Sequence, residues 1–164
     1  MKIYLAGPFF SKEQISLIHS VEKALKNNPT VTEFHSPRLD QTCEYEAFTP
    51  EWASETYFKD MHHIETADAI VAILDYEHEI TDPGTAYEIG IATMLKIPVI
   101  GLLTAGDTVN IMLTESLHAF TKHVAEIEKY DFGMATLFLT KIIRCCECCG
   151  VMAPIALDNE HPRI

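Results

Sequence analysis

Short apolar runs recur along this chain and indicate the strands of a buried sheet. Residues 3–6, 69–74 and 99–103 are almost continuously apolar over the length of a strand, and residues 31–34 form a weaker run. Segments with helical spacing lie between these runs, and this alternation is typical of parallel sheets. The pattern therefore predicts an open, doubly wound α/β sheet with helices on both faces.

Capping residues locate the first two helices. Ser11 and Gln14 have the spacing of a capping box, and Thr49 stands before a proline that suits a first helical position. The first helix is expected to pack on the sheet through one apolar face, formed by Ile15, Ile18, Val21 and Leu25. The second helix places Asp60 on a stripe of otherwise apolar residues, namely Ala53, Tyr57 and Ile64.

A third helix contains one carboxylate among apolar residues. Asp82 is a capping residue before Pro83, and between residues 83 and 95 the ionisable groups are Glu88 and the phenol of Tyr87. An ionised glutamate is seldom buried unless it is paired or functional. Glu88 is therefore a candidate nucleophile or acid–base group. The alternative is a surface residue that points to water, and Asp82 alone could be no more than a helix cap.

The remaining segments are less regular. Residues 36–48 are of mixed polarity and are expected to form a long loop, a type of segment that is often functional. A further helix is expected from Asn110 through Leu117. Residues 120–144 combine helix and strand signals, so both assignments stay open there.

The turns after the predicted strands are candidates for a binding site, because open α/β sheets bind ligands beyond the carboxyl ends of their strands. Gly7-Pro8-Phe9-Phe10 follows the first strand, and residues 75–82 and 104–110 follow the later two. The sequence contains neither G-x-G-x-x-G nor G-x-x-x-x-G-K-[ST], so a phosphate-binding loop is not indicated.

Charge restricts the partners that the protein can have. The 164 residues include 24 acidic and 12 basic side chains, for a net charge of −12. This charge opposes binding to nucleic acid and to an anionic membrane surface, and it favours a small neutral or weakly charged ligand. The sequence has neither a signal-peptide pattern nor an apolar stretch of membrane-spanning length, so a cytoplasmic location is expected.

The cysteines and histidines do not predict a metal site. Cys43 stands alone, and the four other cysteines cluster at positions 145, 146, 148 and 149. Four thiolates so close in sequence rarely reach one ion tetrahedrally, so free thiols on a terminal segment are favoured over bound zinc. His62 and His63 are adjacent and face different directions on a helix, and we interpret them as solvated or paired.

Three separated segments resemble the nucleoside 2-deoxyribosyltransferases. They are Lys2-Ile3-Tyr4-Leu5-Ala6-Gly7-Pro8-Phe9-Phe10, Asp82-Pro83-Gly84-Thr85-x-x-Glu88-Ile89-Gly90 and Asn110-Ile111-Met112. The resemblance implies a flavodoxin-like sheet and a homo-oligomer, either a hexamer built as a trimer of dimers or a dimer. It also implies the transfer of 2-deoxyribose from one nucleobase to another without a cofactor, with nucleosides and nucleobases as substrates.

The resemblance implies four catalytic residues. Glu88 matches the nucleophile that attacks the anomeric carbon, and Tyr4 matches the phenol that hydrogen-bonds and orients it. Asp60 and Asp82 match the two aspartates that surround the base and handle its proton. The competing interpretation of Tyr4 is ordinary strand packing, since aromatic residues favour strands.

Four further residues are implied to bind substrate. Phe10 would form an apolar wall of the pocket, and Gln41 would meet the base. Asn110, with the backbone near Met112, matches a group that a neighbouring subunit lends to the sugar 5′-hydroxyl. The resemblance thus implies an active site shared between subunits.

The resemblance ends near residue 132, which divides the chain. Residues 1–132 are expected to form the deoxyribosyltransferase-like domain, and residues 133–164 a C-terminal extension of open structure, to which the resemblance carries over no site residue. Two other functions stay open, an N-glycoside hydrolase of deoxynucleosides or deoxynucleotides and an inert nucleotide-sensing or assembly module. Base specificity is also open, although Phe9-Phe10 and residues 113–117 resemble the class that accepts both purines and pyrimidines.

Overall fold

The sheet is parallel, and its six strands follow the order β2-β1-β3-β4-β5-β6. The computed structural model describes residues 1–77, 80–137 and 155–156, and within these ranges it contains the following strands and helices. The strands are β1 (Lys2–Ala6), β2 (Glu33–His35), β3 (Ala69–Ile73), β4 (Val99–Leu102), β5 (Ala119–Thr121) and β6 (Ile155–Ala156). The helices are α1 (Lys12–Asn27), α2 (Pro50–Glu65), α3 (Pro83–Met94), α4 (Ile111–Thr114), α5 (Val124–Lys129) and α6 (Phe132–Leu137).

This strand order confirms the predicted fold class. The succession 2-1-3-4-5 is that of flavodoxin-like sheets, in which the chain winds outward from β1 in both directions. Side chains alternate across β1. Ile3 and Leu5 join the apolar core under α1 and α5, whereas Tyr4 and Ala6 join the core under α2 and α3. Helices therefore cover both faces, and Tyr4 points to the face that α3 covers.

The predicted helix caps are confirmed. Ser11 and Gln14 form a complete capping box at α1, the Thr49 side chain accepts a hydrogen bond from the first turn of α2, and the Asp82 side chain does the same at α3. On α1, Ile18 is among the buried residues as expected, but Ile15 is 41% exposed. The apolar face of α1 therefore begins one turn later than predicted.

Two expectations about helices were wrong. On α2, Ile64 is buried, but Ala53 and Tyr57 of the predicted stripe are exposed. The first half of α2 lies beside a pocket and not on the sheet, which explains why its apolar spacing did not produce burial. The helix predicted from Asn110 through Leu117 is also shorter, because α4 ends at Thr114.

The segment left open in the sequence contains β5, α5 and α6 as far as residue 137. Phe132 and Ala135 are both fully buried. The division of the chain at residue 132 stays a prediction. The cysteines at positions 145, 146, 148 and 149 lie outside the described residues. Among the helices that the structure describes, none has both the length and the apolar character needed to cross a bilayer.

Asn28, the C-cap of α1, connects the end of that helix to the end of α5. Its Nδ2 donates hydrogen bonds to the carbonyls of Ile127 and Tyr130, each at 2.8 Å. Its Oδ1 accepts from the backbone N–H of Thr30 at 2.8 Å and from the Thr30 hydroxyl at 2.7 Å. The side chain is 3% exposed, so water cannot replace these partners readily.

We expect Asn28→Asp to lower the free energy of unfolding by about 2–4 kcal/mol, because the donor group is lost and a carboxylate oxygen faces two carbonyls. Urea denaturation measures this change. Asn27→Asp is the matched control, since Asn27 is exposed and the same substitution there is expected to cost at most about 0.5 kcal/mol. Equal effects at the two positions would contradict the structural role of Asn28.

Candidate active site

A cavity of about 350 Å³ lies on the face of the sheet that α2 and α3 cover. Four segments contribute to its wall: the turn after β1, the loop after β2, α2, and the first turns of α3. Five of the eight predicted site residues line this cavity. They are Phe10, Gln41, Asp60, Asp82 and Glu88.

A larger cavity, of about 490 Å³, lies near the start of α1 and the turns after β3 and β4. None of the predicted residues lines it. Three carboxylates do, Glu13, Asp75 and Glu77, and Asp75 accepts hydrogen bonds from the backbone of Thr104 and Ala105. We place the candidate site in the smaller cavity, because five of the predicted residues line it.

Tyr4 and Glu88 form a short hydrogen bond beneath the pocket. The Tyr4 hydroxyl donates to Glu88 Oε1 at 2.5 Å, and Tyr4 itself is completely buried in β1. The sheet thus holds the phenol rigidly, and the phenol orients the carboxylate that α3 brings over the end of β1.

The surroundings of Glu88 raise its proton affinity. Burial raises the pKa of Glu88 to about 8, the charges of Asp60 and Asp82 act in the same direction, and the hydrogen bond from Tyr4 opposes them. Burial, with the nearby carboxylates, also raises the pKa of Tyr4, so the phenol keeps its proton and remains a donor. A perturbed carboxylate in a pocket is characteristic of functional sites.

Asp82 both caps α3 and lines the pocket. Its Oδ2 accepts a hydrogen bond from the Thr85 backbone N–H at 2.9 Å and lies 3.3 Å from the Thr85 hydroxyl. Position 84, two residues later, leaves room for this carboxylate because it is a glycine: a Cβ atom at Gly84 would lie 3.0 Å from Asp82 Oδ2. The cap therefore fixes the position of the Asp82 carboxylate at the edge of the cavity.

Asp60 faces two stacked imidazoles. Its Oδ1 lies 3.6 Å from His35 Nε2, and the rings of His35 and His63 stack with centroids 3.6 Å apart and planes at 9°. Donor atoms of His35, His63 and Asp40 all lie within 4.8 Å of one another. An ion must lie near the plane of each imidazole that binds it. Parallel rings at this separation cannot satisfy that requirement together, so the arrangement does not suit a shared metal ion.

The predicted substrate-binding residues divide into two groups. Phe10 is 69% exposed and stacks on Phe9 at the mouth of the pocket, and Gln41 donates a hydrogen bond to the Pro37 carbonyl. Asn110 caps α4 through its side chain, and Met112 is 74% exposed. Phe10 and Gln41 thus form the group that lines the pocket. Asn110 and Met112 form the other group: they belong to the described part of the chain, but they do not line the pocket of their own subunit.

Several pocket residues were not found from the sequence. Phe48, Trp52, Lys59 and Cys43 all line the cavity. Phe48 has a backbone φ of 69°, a conformation rarely adopted by a side chain of this size, and it is 89% exposed beside Trp52. Strained residues of this kind concentrate at functional sites. The sequence did indicate that the loop of residues 36–48 could be functional, but it did not single out these particular side chains.

Comparisons with known proteins identify relatives of this chain and agree with its fold. The family model of the nucleoside 2-deoxyribosyltransferases matches residues 3–136. A nucleoside deoxyribosyltransferase from Limosilactobacillus fermentum is 34% identical over 107 residues, which covers 60% of this chain and 62% of that protein. The chain thus spans less than two thirds of the length of this curated relative.

Two solved structures are similar as well. That of a 2-deoxyribosyltransferase from the psychrotolerant bacterium Bacillus psychrosaccharolyticus is 35% identical with a TM-score of 0.74, covering 82% of this chain and 96% of that one. That of a conserved protein from Enterococcus faecalis V583 is 20% identical with a TM-score of 0.55, covering 82% and 94%, and it shows the fold alone.

Fold and site together define a flavodoxin-like α/β protein with a carboxylate-lined ligand pocket. The match over residues 3–136 identifies the family: the chain belongs to the nucleoside 2-deoxyribosyltransferases. The resemblance seen in the sequence is confirmed.

The raised pKa of Glu88 predicts a pH-dependent stability. Between its ordinary value of 4.5 and about 8, the folded protein holds a proton that the unfolded chain releases, so stability falls as pH rises through this window. We expect Glu88→Gln, whose amide stays neutral and can still accept from Tyr4, to abolish this fall. At pH 8.5 the variant should exceed the parent in free energy of unfolding by about 1–3 kcal/mol.

Urea denaturation at pH 5 and pH 8.5 measures this difference. Glu128→Gln is the control, because Glu128 is exposed on α5 and the same change there should have almost no effect at either pH. The change in the free energy of unfolding from pH 5 to pH 8.5 is compared between the parent and Glu88→Gln. If the parent loses no more stability than the variant, Glu88 is not held protonated.

Proposed function

We propose that this protein transfers 2-deoxyribose between nucleobases through a covalent intermediate on Glu88, with retention of configuration. The observation that carries the proposal is the Tyr4–Glu88 hydrogen bond of 2.5 Å at the base of a pocket lined by Asp60 and Asp82. Membership of the nucleoside 2-deoxyribosyltransferase family supports this activity.

In the first half-reaction, the bond between the base and the sugar breaks and positive charge develops on the sugar ring. A carboxylate on the opposite face stabilises this charge and then bonds to the anomeric carbon. A 2-deoxy sugar lacks an electron-withdrawing 2′-hydroxyl, so its cation forms more readily. Glu88 must be ionised to attack, and the Tyr4 hydrogen bond favours the ionised form against the effect of burial.

The departing base leaves as a neutral molecule only if it receives a proton. Asp60 and Asp82 line the same cavity as Glu88, and each is a candidate donor. In the second half-reaction the incoming base gives a proton back and attacks the glycosyl-enzyme. Two inversions at the anomeric carbon give net retention, and the kinetics are ping-pong. The exchange involves no oxidation or reduction, so it needs no redox cofactor.

A shared site between subunits is also part of the proposal. Asn110 and Met112 are exposed and do not line the pocket of their own chain. This supports the expectation that a neighbouring subunit supplies them to the sugar 5′-hydroxyl. A homo-oligomer, a role in nucleoside salvage and a location in the cytoplasm remain predictions.

We expect purified protein to convert thymidine and adenine into deoxyadenosine and thymine, and Glu88→Ala to abolish the conversion. Chromatography of the reaction mixture measures all four compounds. Thymine and free deoxyribose without deoxyadenosine would assign the hydrolase instead. If thymidine is unchanged, deoxyinosine with adenine tests an enzyme restricted to purines, and absence of turnover there as well would favour a binding module.

Tyr4→Phe removes only the hydroxyl that orients Glu88. We expect kcat to fall by about 10- to 100-fold, which corresponds to about 1.4–2.7 kcal/mol, with KM for thymidine changed far less. Tyr87→Phe is the control. Tyr87 lies next to Glu88 on α3, but it is exposed, and its hydroxyl meets that of Tyr57 at the surface. Equal activity of Tyr4→Phe and the parent would refute the role of Tyr4.

A further inference from the structure

His35 occupies a central place beside the candidate site that the proposed reaction does not yet use. It ends β2, and the strand register pairs it with Tyr4 on β1, so both side chains lie on the same face of the sheet. Their rings are 5.7 Å apart and nearly parallel. His35 is thus a direct neighbour of the phenol that holds Glu88.

Three buried polar atoms at this place lack hydrogen-bond partners within the described residues. One is Nδ1 of the stacked His63, and the other two, His35 Nε2 and Asp60 Oδ1, face each other. The His35 side chain as a whole is only 9% exposed. Burying a polar group without a partner is unfavourable, and each of these atoms is what the other needs, because a ring N–H donates and a carboxylate oxygen accepts. Their separation of 3.6 Å is a few tenths of an ångström too long for a hydrogen bond.

The surroundings place a different carboxylate near each ring nitrogen of His35. His63 stacks on the ring at 3.6 Å, which restricts rotation of the imidazole. Asp40 faces the other ring nitrogen: its Oδ2 lies 4.0 Å from Nδ1, while its Oδ1 accepts from the Thr42 hydroxyl at 2.6 Å and lies 3.2 Å from Lys59 Nζ. Nε2 is therefore aimed at Asp60.

We propose that His35 is a positioning residue that donates a hydrogen bond from Nε2 to Asp60 Oδ1 when substrate is bound. Hydrogen bonds of this type are commonly long in empty sites and shorten in the complex. Because Oδ1 is buried while the Asp60 side chain is 22% exposed and lines the pocket, the oxygen left to face the nucleobase is Oδ2. The inference rests on the proposed function, and it separates the roles of the two Asp60 oxygens.

Several ionisable groups surround this contact. Those that face His35 are Tyr4 from β1, Asp60 and His63 from α2, and Asp40 from the following loop, with Lys59 and Glu88 beyond them. Burial, together with the charge of His35, lowers the pKa of His63. The role that the stacked geometry gives His63 is that of a packing partner for the His35 ring.

Three substitutions of His35 separate donation from packing. His35→Phe keeps a stacked ring without a donor, His35→Gln places an amide N–H near the position of Nε2, and His35→Asn places one near Nδ1. With thymidine and adenine, we expect kcat to fall about 10-fold in His35→Phe and His35→Asn while KM changes by at most about 2-fold. His35→Gln should recover to within about 3-fold of the parent. His63→Phe is the control and should retain the parent kcat.

A second readout does not depend on transferase activity. The ¹³C NMR signal of the Asp60 carboxyl carbon, assigned with Asp60→Asn and recorded at one pH with thymidine present, should move in His35→Phe relative to the parent, but not in His63→Phe. If the parent is inactive and the signal still moves in His35→Phe, the proposed function is refuted and the contact is kept. If the parent is active and His35→Phe leaves both kcat and this signal unchanged, the inference is overturned, as it is if His35→Gln is as defective as His35→Phe.

Discussion

The hydrogen bond between Tyr4 and Glu88 is the constraint on which the candidate site depends. A partly buried carboxylate near two other carboxylates is unfavourable when ionised, and the phenol is the group that opposes this cost. The phenol can do so only because residues 3–6 of β1 are completely buried and the strand pairs with strands on both sides. The central strand thereby holds Tyr4 in place, and Tyr4 in turn holds Glu88, the side chain that is proposed to attack the sugar.

Three carboxylates reach the pocket from two helices, and each is held in a different way. Glu88 accepts from Tyr4, Asp82 is fixed by the first turn of α3 that it caps, and Asp60 lies beside His35. Bringing like charges together lowers stability, and proteins accept such arrangements mainly at functional sites. The double use of Asp82 shows that one hydrogen-bond acceptor can begin a helix and also shape a binding site.

The helix that carries Asp60 shows that apolar residues at helical spacing do not by themselves predict burial. Ile64 packs in the core, while Tyr57, two turns earlier on the same stripe, is 46% exposed and its hydroxyl meets that of Tyr87. The cavity is lined by other residues of α2, among them Trp52, Thr56 and Asp60. Which residues of a helix are covered depends on what packs against it, and the spacing of residues does not specify that.

The sequence by itself determined the α/β class, the starts of three helices and the choice of Glu88 as a candidate, because these follow from local rules. Apolar runs predict buried strands, an Asp or Ser before a helix predicts a cap, and a carboxylate that is isolated in an apolar helix is seldom buried unless it is paired or functional. The family resemblance implied the contact between Tyr4 and Glu88, but only the tertiary structure decided that they meet at 2.5 Å and that His35 lies beside Asp60. Such contacts join residues far apart in sequence, and their distances are set by strand register and helix placement, which no local pattern specifies.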